Sequence, residues 1–266
     1  MEDFHRFLLV DLNLSRSTAN RYRNNVERFF RYVKKKVDEV TREDIREFFL
    51  HVKSRAESHK DYLSALKRFF RDYLGLSLMD SFRYPKKNWK VRWVPSKEEL
   101  KRFYQALPNI RGRAIFLFYA TTGLRKMEVL SLRLSDIDFS RRMVIPRKKS
   151  SRTKHTFVTF YNEECEKVLM EYLSSRKENS NRLFAISHEK FCEIWRVGYQ
   201  KTSIKITPRV LRRWFATEMA RKGVSIVYID AFQGRVPQTI LAKHYIDFSI
   251  ENLKKVYEKA DLRILT

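Results

Sequence analysis

Through residues 1–88 apolar side chains return at helical spacing, and the breaks in that return mark where helices should begin and end. A short helix is predicted from Asp3 to Leu12. Ser15 or Ser17 can cap a second, in which Tyr22, Val26, Phe29, Phe30 and Val33 share a face. Thr41-Arg42-Glu43-Asp44 has the form of a capping box, and Ile45, Phe48, Phe49 and Val52 follow on one side. A last helix carries Tyr62, Leu63, Leu66, Phe69, Phe70 and Tyr73, with Gly75 as its stop. Four amphipathic helices of this kind predict a bundle whose aromatic stripes form the core. The opposite faces carry Arg16, Arg21, Arg23, Lys34, Lys35, Lys36, Lys60, Lys67 and Arg68.

Periodicity lapses over Phe82–Pro95, a basic stretch with two prolines that reads as extended chain. The predicted organisation is a helical domain over 1–88, a linker over 89–95 and a second domain over 96–266. Ser96-Lys97-Glu98-Glu99 opens the second domain with a capping box. An apolar helix through Ala114, Phe116, Leu117 and Tyr119–Thr122 is stopped by Gly123. Ile137–Phe139, Met143–Ile145 and His155–Phe160 predict a small antiparallel sheet of three strands. Helices are expected over Glu163–Ser174, over His188–Gln200, from Pro208, over Ile240–Tyr245, and again through Ile250, Leu253, Val256 and Tyr257. The fold class is therefore mainly α with a small antiparallel sheet. The last helix is amphipathic, and its spacing leaves open what its apolar face packs against.

Charge changes the picture. The chain of 266 residues has 56 Lys+Arg against 31 Asp+Glu, a net charge of +25, and the excess runs through both predicted domains. A solvated surface ordinarily mixes its signs, so both domains are expected to face a polyanion. Cys165 and Cys192 form no metal-ligand spacing and no disulfide framework, and both are expected in packed or half-packed helices of a reducing compartment. Met1–Leu12 has neither the length nor the flanks of a signal peptide or membrane span, so a cytoplasmic protein without a membrane partner is expected.

Candidate chemistry gathers near the end. Thr207 can cap, and Pro208 can start, a helix that presents Arg209 and Arg212 on one face. Gln233-Gly234-Arg235 and then Ala242-Lys243-His244-Tyr245 follow. Earlier stands Thr121-Thr122-Gly123-Leu124-Arg125-Lys126-Met127-Glu128-Val129-Leu130-Ser131-Leu132. In order and spacing these stretches resemble the boxes of the tyrosine recombinase (phage-type integrase) family, in particular its archaeal viral and plasmid integrases. The likeness covers the last two-thirds of the chain well and the first third in outline, where it implies a SAM-like core-binding domain ahead of the catalytic domain. Two positions depart from the bacterial form, because Arg209 and Arg235 stand where histidines are usual.

The resemblance implies an enzyme that cleaves and rejoins DNA through a 3′-phosphotyrosine, working as a dimer or tetramer on attachment sites. Arg125, Arg209, Arg212 and Arg235 would hold the phosphate, Glu128 would orient the site and Tyr245 would be the nucleophile. His244 is a weaker candidate, since neighbours on a helix point about 100° apart. A lysine on the hairpin Arg141–Lys154, half of which is basic, would protonate the leaving oxygen. Spacing in bacterial members points to Lys149; Thr153-Lys154-His155, as in archaeal relatives, points to Lys154, which is chosen here over Lys149 and Lys148. Lys148, Lys149, Arg152, Lys86 and Lys87 are the further DNA contacts. No cofactor is expected, because the chain carries neither a cluster of metal-ligating residues nor a phosphate-binding glycine loop.

Three rivals remain at this stage. A regulator or inactive relative would share the charge without needing Arg125, Arg212, Arg235 and Tyr245 together. A metal-dependent nuclease would need a ligand cluster, and Asp136 and Asp138 stand isolated. A type IB topoisomerase shares the chemistry, but so short a chain suits an integrase better.

The charge distribution makes one prediction. Affinity for duplex DNA should fall with salt by about 0.9 log unit per log unit for each phosphate neutralised. Residues 93–266 alone should show a flatter slope than the full chain in a salt titration, and equal slopes would leave the first domain's basic faces as ordinary surface.

Overall fold

A computed structural model describes residues 1–55, 58–86, 91–146, 157–177, 179–235 and 246–266. The chain divides into two compact units, Met1–Val91 and Arg92–Thr266. In the first, α1 (Glu2–Val10), α2 (Arg16–Val33), α3 (Arg42–Ser54) and α4 (His59–Leu66) enclose Phe4, Leu8, Val26, Phe29, Ile45, Phe48, Leu63 and Leu66. Phe29 meets Phe48 and Phe70 edge to face at 5.2 and 5.9 Å, the arrangement that the ring quadrupole favours. Ser15, rather than Ser17, caps α2 by accepting from the Thr18 N–H.

The fourth predicted helix changes pitch. From Lys67 to Tyr73 it continues as a π-helix, with the Leu74 N–H donating to Phe69 O five residues back. Phe69 and Phe70, in this wider turn, both lie in the core.

The second unit is built around α6 (Ile110–Thr122), buried almost throughout its length. Around it lie α5 (Lys97–Ala106), α7 (Lys126–Ser131), α8 (Glu163–Ser175), α9 (His188–Thr202), α10 (Pro208–Arg221) and α11 (Ile226–Phe232). The sheet has order β1–β2–β3, antiparallel throughout: Ile137–Asp138, Met143–Val144 and Thr159–Phe160, with Val144 between Ile137 and Thr159. The strands are shorter than the apolar runs predicted, and the earlier part of the third run, with the helix expected over Ile240–Tyr245, lies outside the described residues.

The last helix, α12 (Ile250–Ala260), packs on its own chain: Leu253, Tyr257 and Ala260 are buried with Met143, Phe160, Phe215 and Phe232. Beyond it, Glu164 on α8 accepts from the N–H groups of Ile264, Leu265 and Thr266 and so ties down the end of the chain. Cys165 is buried as expected, but Cys192 is exposed, because α9 turns Phe191 and Trp195 inward and leaves Cys192 on the outer face. Among the described residues no helix is long and apolar enough to cross a membrane.

One ion pair makes the first unit sensitive to acid. Lys35 Nζ lies 2.7 Å from Asp44 Oδ1, while the Thr41 N–H and hydroxyl donate to Oδ2. The Lys35 hydrogen bond first, and the Thr41 backbone second, hold the Asp44 carboxyl down at about 2 from an ordinary 3.8. A folded value below the unfolded one means a contribution complete above the unfolded value and lost as pH falls through about 2. Asp44→Asn should therefore lower the melting temperature at neutral pH, with a deficit that shrinks as the medium is acidified below the ordinary carboxylate range. A deficit independent of pH in thermal scans would rule out the charge as its cause.

Candidate active site

The site begins where α6 ends. Gly123 closes this helix with φ +63°, in the left-handed region that favours glycine. A Cβ there would stand 2.5 Å from Phe215 Cδ1, so the position also needs glycine for the close approach of α10. A helix that ends inside a protein leaves carbonyls without intrahelical partners. Here distant side chains take three in succession: Tyr257 Oη donates to Thr121 O at 2.9 Å, Thr159 Oγ1 to Thr122 O at 2.9 Å and Arg212 Nη1 to Gly123 O at 2.7 Å.

Arg125 follows two residues later as the N-cap of α7. Its backbone N–H donates to Glu128 Oε2 at 2.7 Å and its Nη1 to Glu128 Oε1 at 2.8 Å, so one carboxylate both caps the helix and orients the guanidinium. Glu128 is almost fully buried, which fits its place beneath a positive group. Arg125 Nη2 then reaches Gly234 O at 3.2 Å.

Arg212 arrives from α10, whose start is fixed by the Thr207 cap and by Pro208 in the first turn. Besides Gly123 O, its guanidinium donates through Nη2 to Gln233 O at 2.6 Å. Arg125 and Arg212, from boxes far apart in sequence, thus sit on the consecutive carbonyls of Gly234 and Gln233. Burial first, and the neighbouring Arg125 charge second, pull the Arg212 pKa down to about 10, which still leaves it protonated at neutral pH. Glu128 opposes that fall.

The other predicted residues are placed differently. Arg209 is exposed on the first turn of α10. Arg235 is about half exposed and pairs through Nη1 with Asp230 Oδ1 at 2.6 Å. It also lines a small cavity of about 170 Å³ with Phe157, Val158, Gly234 and Phe248. Lys86 is exposed and belongs to the first unit. Tyr245, His244, Lys154, Lys148, Lys149, Arg152 and Lys87 lie outside the described residues. Tyr257, the other tyrosine near the end of the chain, is fully buried with its hydroxyl bonded, and burial raises its pKa well above 10, so it has no free oxygen to offer.

Two further residues enter that the sequence reading gave no part. Asp230 neutralises Arg235, and an acid five residues before a basic residue was the available signal. Gln233 is fully buried and donates through Nε2 to Arg212 O at 2.8 Å. A lone glutamine beside a glycine carries no such signal.

A family model described as phage integrase matches residues 94–250, and one described as phage integrase, N-terminal SAM-like domain, matches residues 1–80. The chain belongs to the phage integrase family. Among curated members it is similar to the tyrosine recombinase XerA of Saccharolobus solfataricus, at 23% identity over 95% of this chain and 89% of that one. It is also similar to XerA of Pyrococcus furiosus, at 29% over 75% and 73%. Among solved structures, this phage integrase family member resembles a lambda integrase tetramer bound to a Holliday junction, with a TM-score of 0.71 at 14% identity, covering 92% of this chain and 76% of that one. XerH site-specific recombinase bound to its difH substrate gives 0.63 at 18%, covering 91% and 79%. At these identities the structural likeness is one of fold.

The double requirement at Gly123 gives a third prediction. Gly123→Ala should strain the backbone by about 1–2 kcal/mol and push Phe215, and with it α10, off the end of α6. The expected result is a lower melting temperature together with loss of DNA cleavage. An alanine variant that cleaves at the wild-type rate would show that the close approach is dispensable.

Proposed function

We propose that this chain is a site-specific DNA recombinase that cleaves and rejoins strands through a 3′-phosphotyrosine, working as a dimer or tetramer on double-stranded DNA in the cytoplasm. The observation that carries the reading is the pair of guanidinium groups, Arg125 and Arg212, held side by side on the carbonyls of Gly234 and Gln233. Membership of the phage integrase family supports it, as do the named activities of the relatives.

The chemistry follows from charge. A phosphodiester repels nucleophiles, and two planar, forked donors that stay protonated can take its two non-bridging oxygens and hold them as charge builds in the transition state. In the proposed reaction the Tyr245 phenol loses its proton to solvent, its oxygen attacks phosphorus, the bond to the 5′ oxygen breaks and the enzyme is left joined to the 3′ phosphate. The departing 5′ oxygen takes a proton from a hairpin lysine, with Lys154 proposed ahead of Lys149. Attack by the freed 5′-hydroxyl of a partner strand reverses the step, so neither ATP nor a metal is consumed. Arg209 and Arg235 cannot accept the tyrosine proton, because arginine does not deprotonate in proteins; they bind phosphate or make the phenolate easier to form. Lys148, Lys149 and Arg152 are proposed as contacts to the duplex near the cut. Lys86 and Lys87 are proposed as contacts from the end of a DNA-gripping domain over 1–88, which residues 89–95 join to a catalytic domain over 96–266.

A suicide substrate, nicked so that the leaving fragment diffuses away, tests the reading. The wild-type chain should form a covalent protein–DNA adduct in the presence of a strong chelator, and Tyr245→Phe should bind the same DNA with unchanged affinity and form none. Adduct formation by Tyr245→Phe would place the nucleophile on another residue. Cleavage that stops in chelator and returns with magnesium would favour a nuclease.

A further inference from the structure

Gln233 is the C-cap of α11, and its side chain is fully buried. It makes a reciprocal clasp with Arg212: Gln233 Nε2 donates to Arg212 O at 2.8 Å, and Arg212 Nη2 donates to Gln233 O at 2.6 Å. Backbone and guanidinium of one arginine are thereby gripped by side chain and backbone of one glutamine.

The energetics of this contact point away from a purely structural role. Arg212 lies inside α10, so its carbonyl already accepts the helix's own hydrogen bond from Ala216, four residues on. Removing the glutamine amide would therefore leave no orphan there. Gln233 Oε1, by contrast, is buried without a hydrogen-bond partner among the described residues, and an unpaired buried acceptor opposes folding. A methionine would fill the same space without that penalty. What glutamine offers beyond methionine is a fixed position for Arg212. That guanidinium needs fixing, because Arg125 stands beside it with the same sign and burial lowers its pKa.

We infer that Gln233 is a positioning residue, which holds Arg212 at the reach required to activate the phosphate and makes no contact with the reacting atoms itself. The inference rests on the recombinase reading of the site. It adds a link from the end of α11 to the catalytic helix. Positioning matters to rate more than to affinity, since a small displacement of a catalytic group can cost orders of magnitude in rate.

The test uses the full chain and the nicked substrate in single turnover. Gln233→Met should form the covalent adduct about tenfold more slowly, a conservative figure for misplacing one group by a fraction of an ångström. Its DNA affinity should be unchanged and its melting temperature equal to, or above, that of the wild type. Gln233→Glu, which keeps the shape but has no donor when ionised, should also be slow, and it serves should methionine pack badly. Alongside, the side-chain N–H signals of Arg212 in arginine-labelled protein, assigned by their loss in Arg212→Lys, should exchange with solvent faster in both variants. An unchanged cleavage rate would overturn the inference, as would a rate that falls only in step with melting temperature while Arg212 exchange stays as in the wild type. If the wild-type chain forms no adduct, the recombinase reading fails by itself. The clasp is then judged on Arg212 exchange alone, and exchange unaltered by Gln233→Met would overturn it too.

Discussion

A helix that stops in the interior of a protein has to find partners for its last carbonyls, and that constraint organises the second unit. At the end of α6 the carbonyls of Thr121, Thr122 and Gly123 are taken in turn by Tyr257, Thr159 and Arg212. Those side chains come from α12, the last strand of the sheet and α10. One short stretch of backbone thus ties together elements that are far apart in sequence, and it does so immediately before Arg125. An unmet buried carbonyl costs about 1–3 kcal/mol, so the three bonds fix the elements as well as satisfy the helix.

The same arrangement answers an electrostatic difficulty. Two unit charges of like sign 4 Å apart repel by about 4 kcal/mol at an effective dielectric constant of 20, and an empty site has no phosphate to offset this. Here the opposing field comes from the buried Glu128 carboxylate against Arg125 and from the backbone dipoles of Gly123, Gln233 and Gly234. Fixed dipoles hold the groups in place before substrate arrives, so little reorganisation is left for the moment of reaction. Burial does most to lower the Arg212 pKa and the Arg125 charge comes second, and that second contribution is the positive field that an anion would meet.

Helices and caps could be read from the sequence because they depend on neighbours in the chain. The Thr41–Asp44 and Ser96–Glu99 capping boxes, the Gly123 stop and the Thr207-Pro208 start all appear where local chemistry puts them. What could not be read depends on distant contacts. The switch to π-helix pitch at Lys67 has no signature in the local spacing of apolar residues. The inward packing of α12, which sequence left open, follows from the reach of Tyr257 to the end of α6. Within the site, Arg125 and Arg212 were legible through a resemblance between motifs, whereas their meeting on consecutive carbonyls is a fact of tertiary structure. Gln233 was illegible for the same reason, since its partner lies on another helix.

The substitution of arginine for histidine now has a physical reading. A histidine can change charge near neutral pH, but Arg209 and Arg235 cannot, and Arg212 at about 10 remains charged as well. The positive charge of the arginine cluster is therefore constant across the neutral range. Arg235 meets that condition with a compensating acid, Asp230, at 2.6 Å and at a half-exposed position where a phosphate could compete for it. On the proposed reading, what prepares this cluster for catalysis is exchange of partners, carboxylate and carbonyl for phosphate oxygen, while its arginines stay protonated. A site that works by exchange depends on where its donors point, and that direction is set by the turn at Gln233 and Gly234, which receives both Arg125 and Arg212.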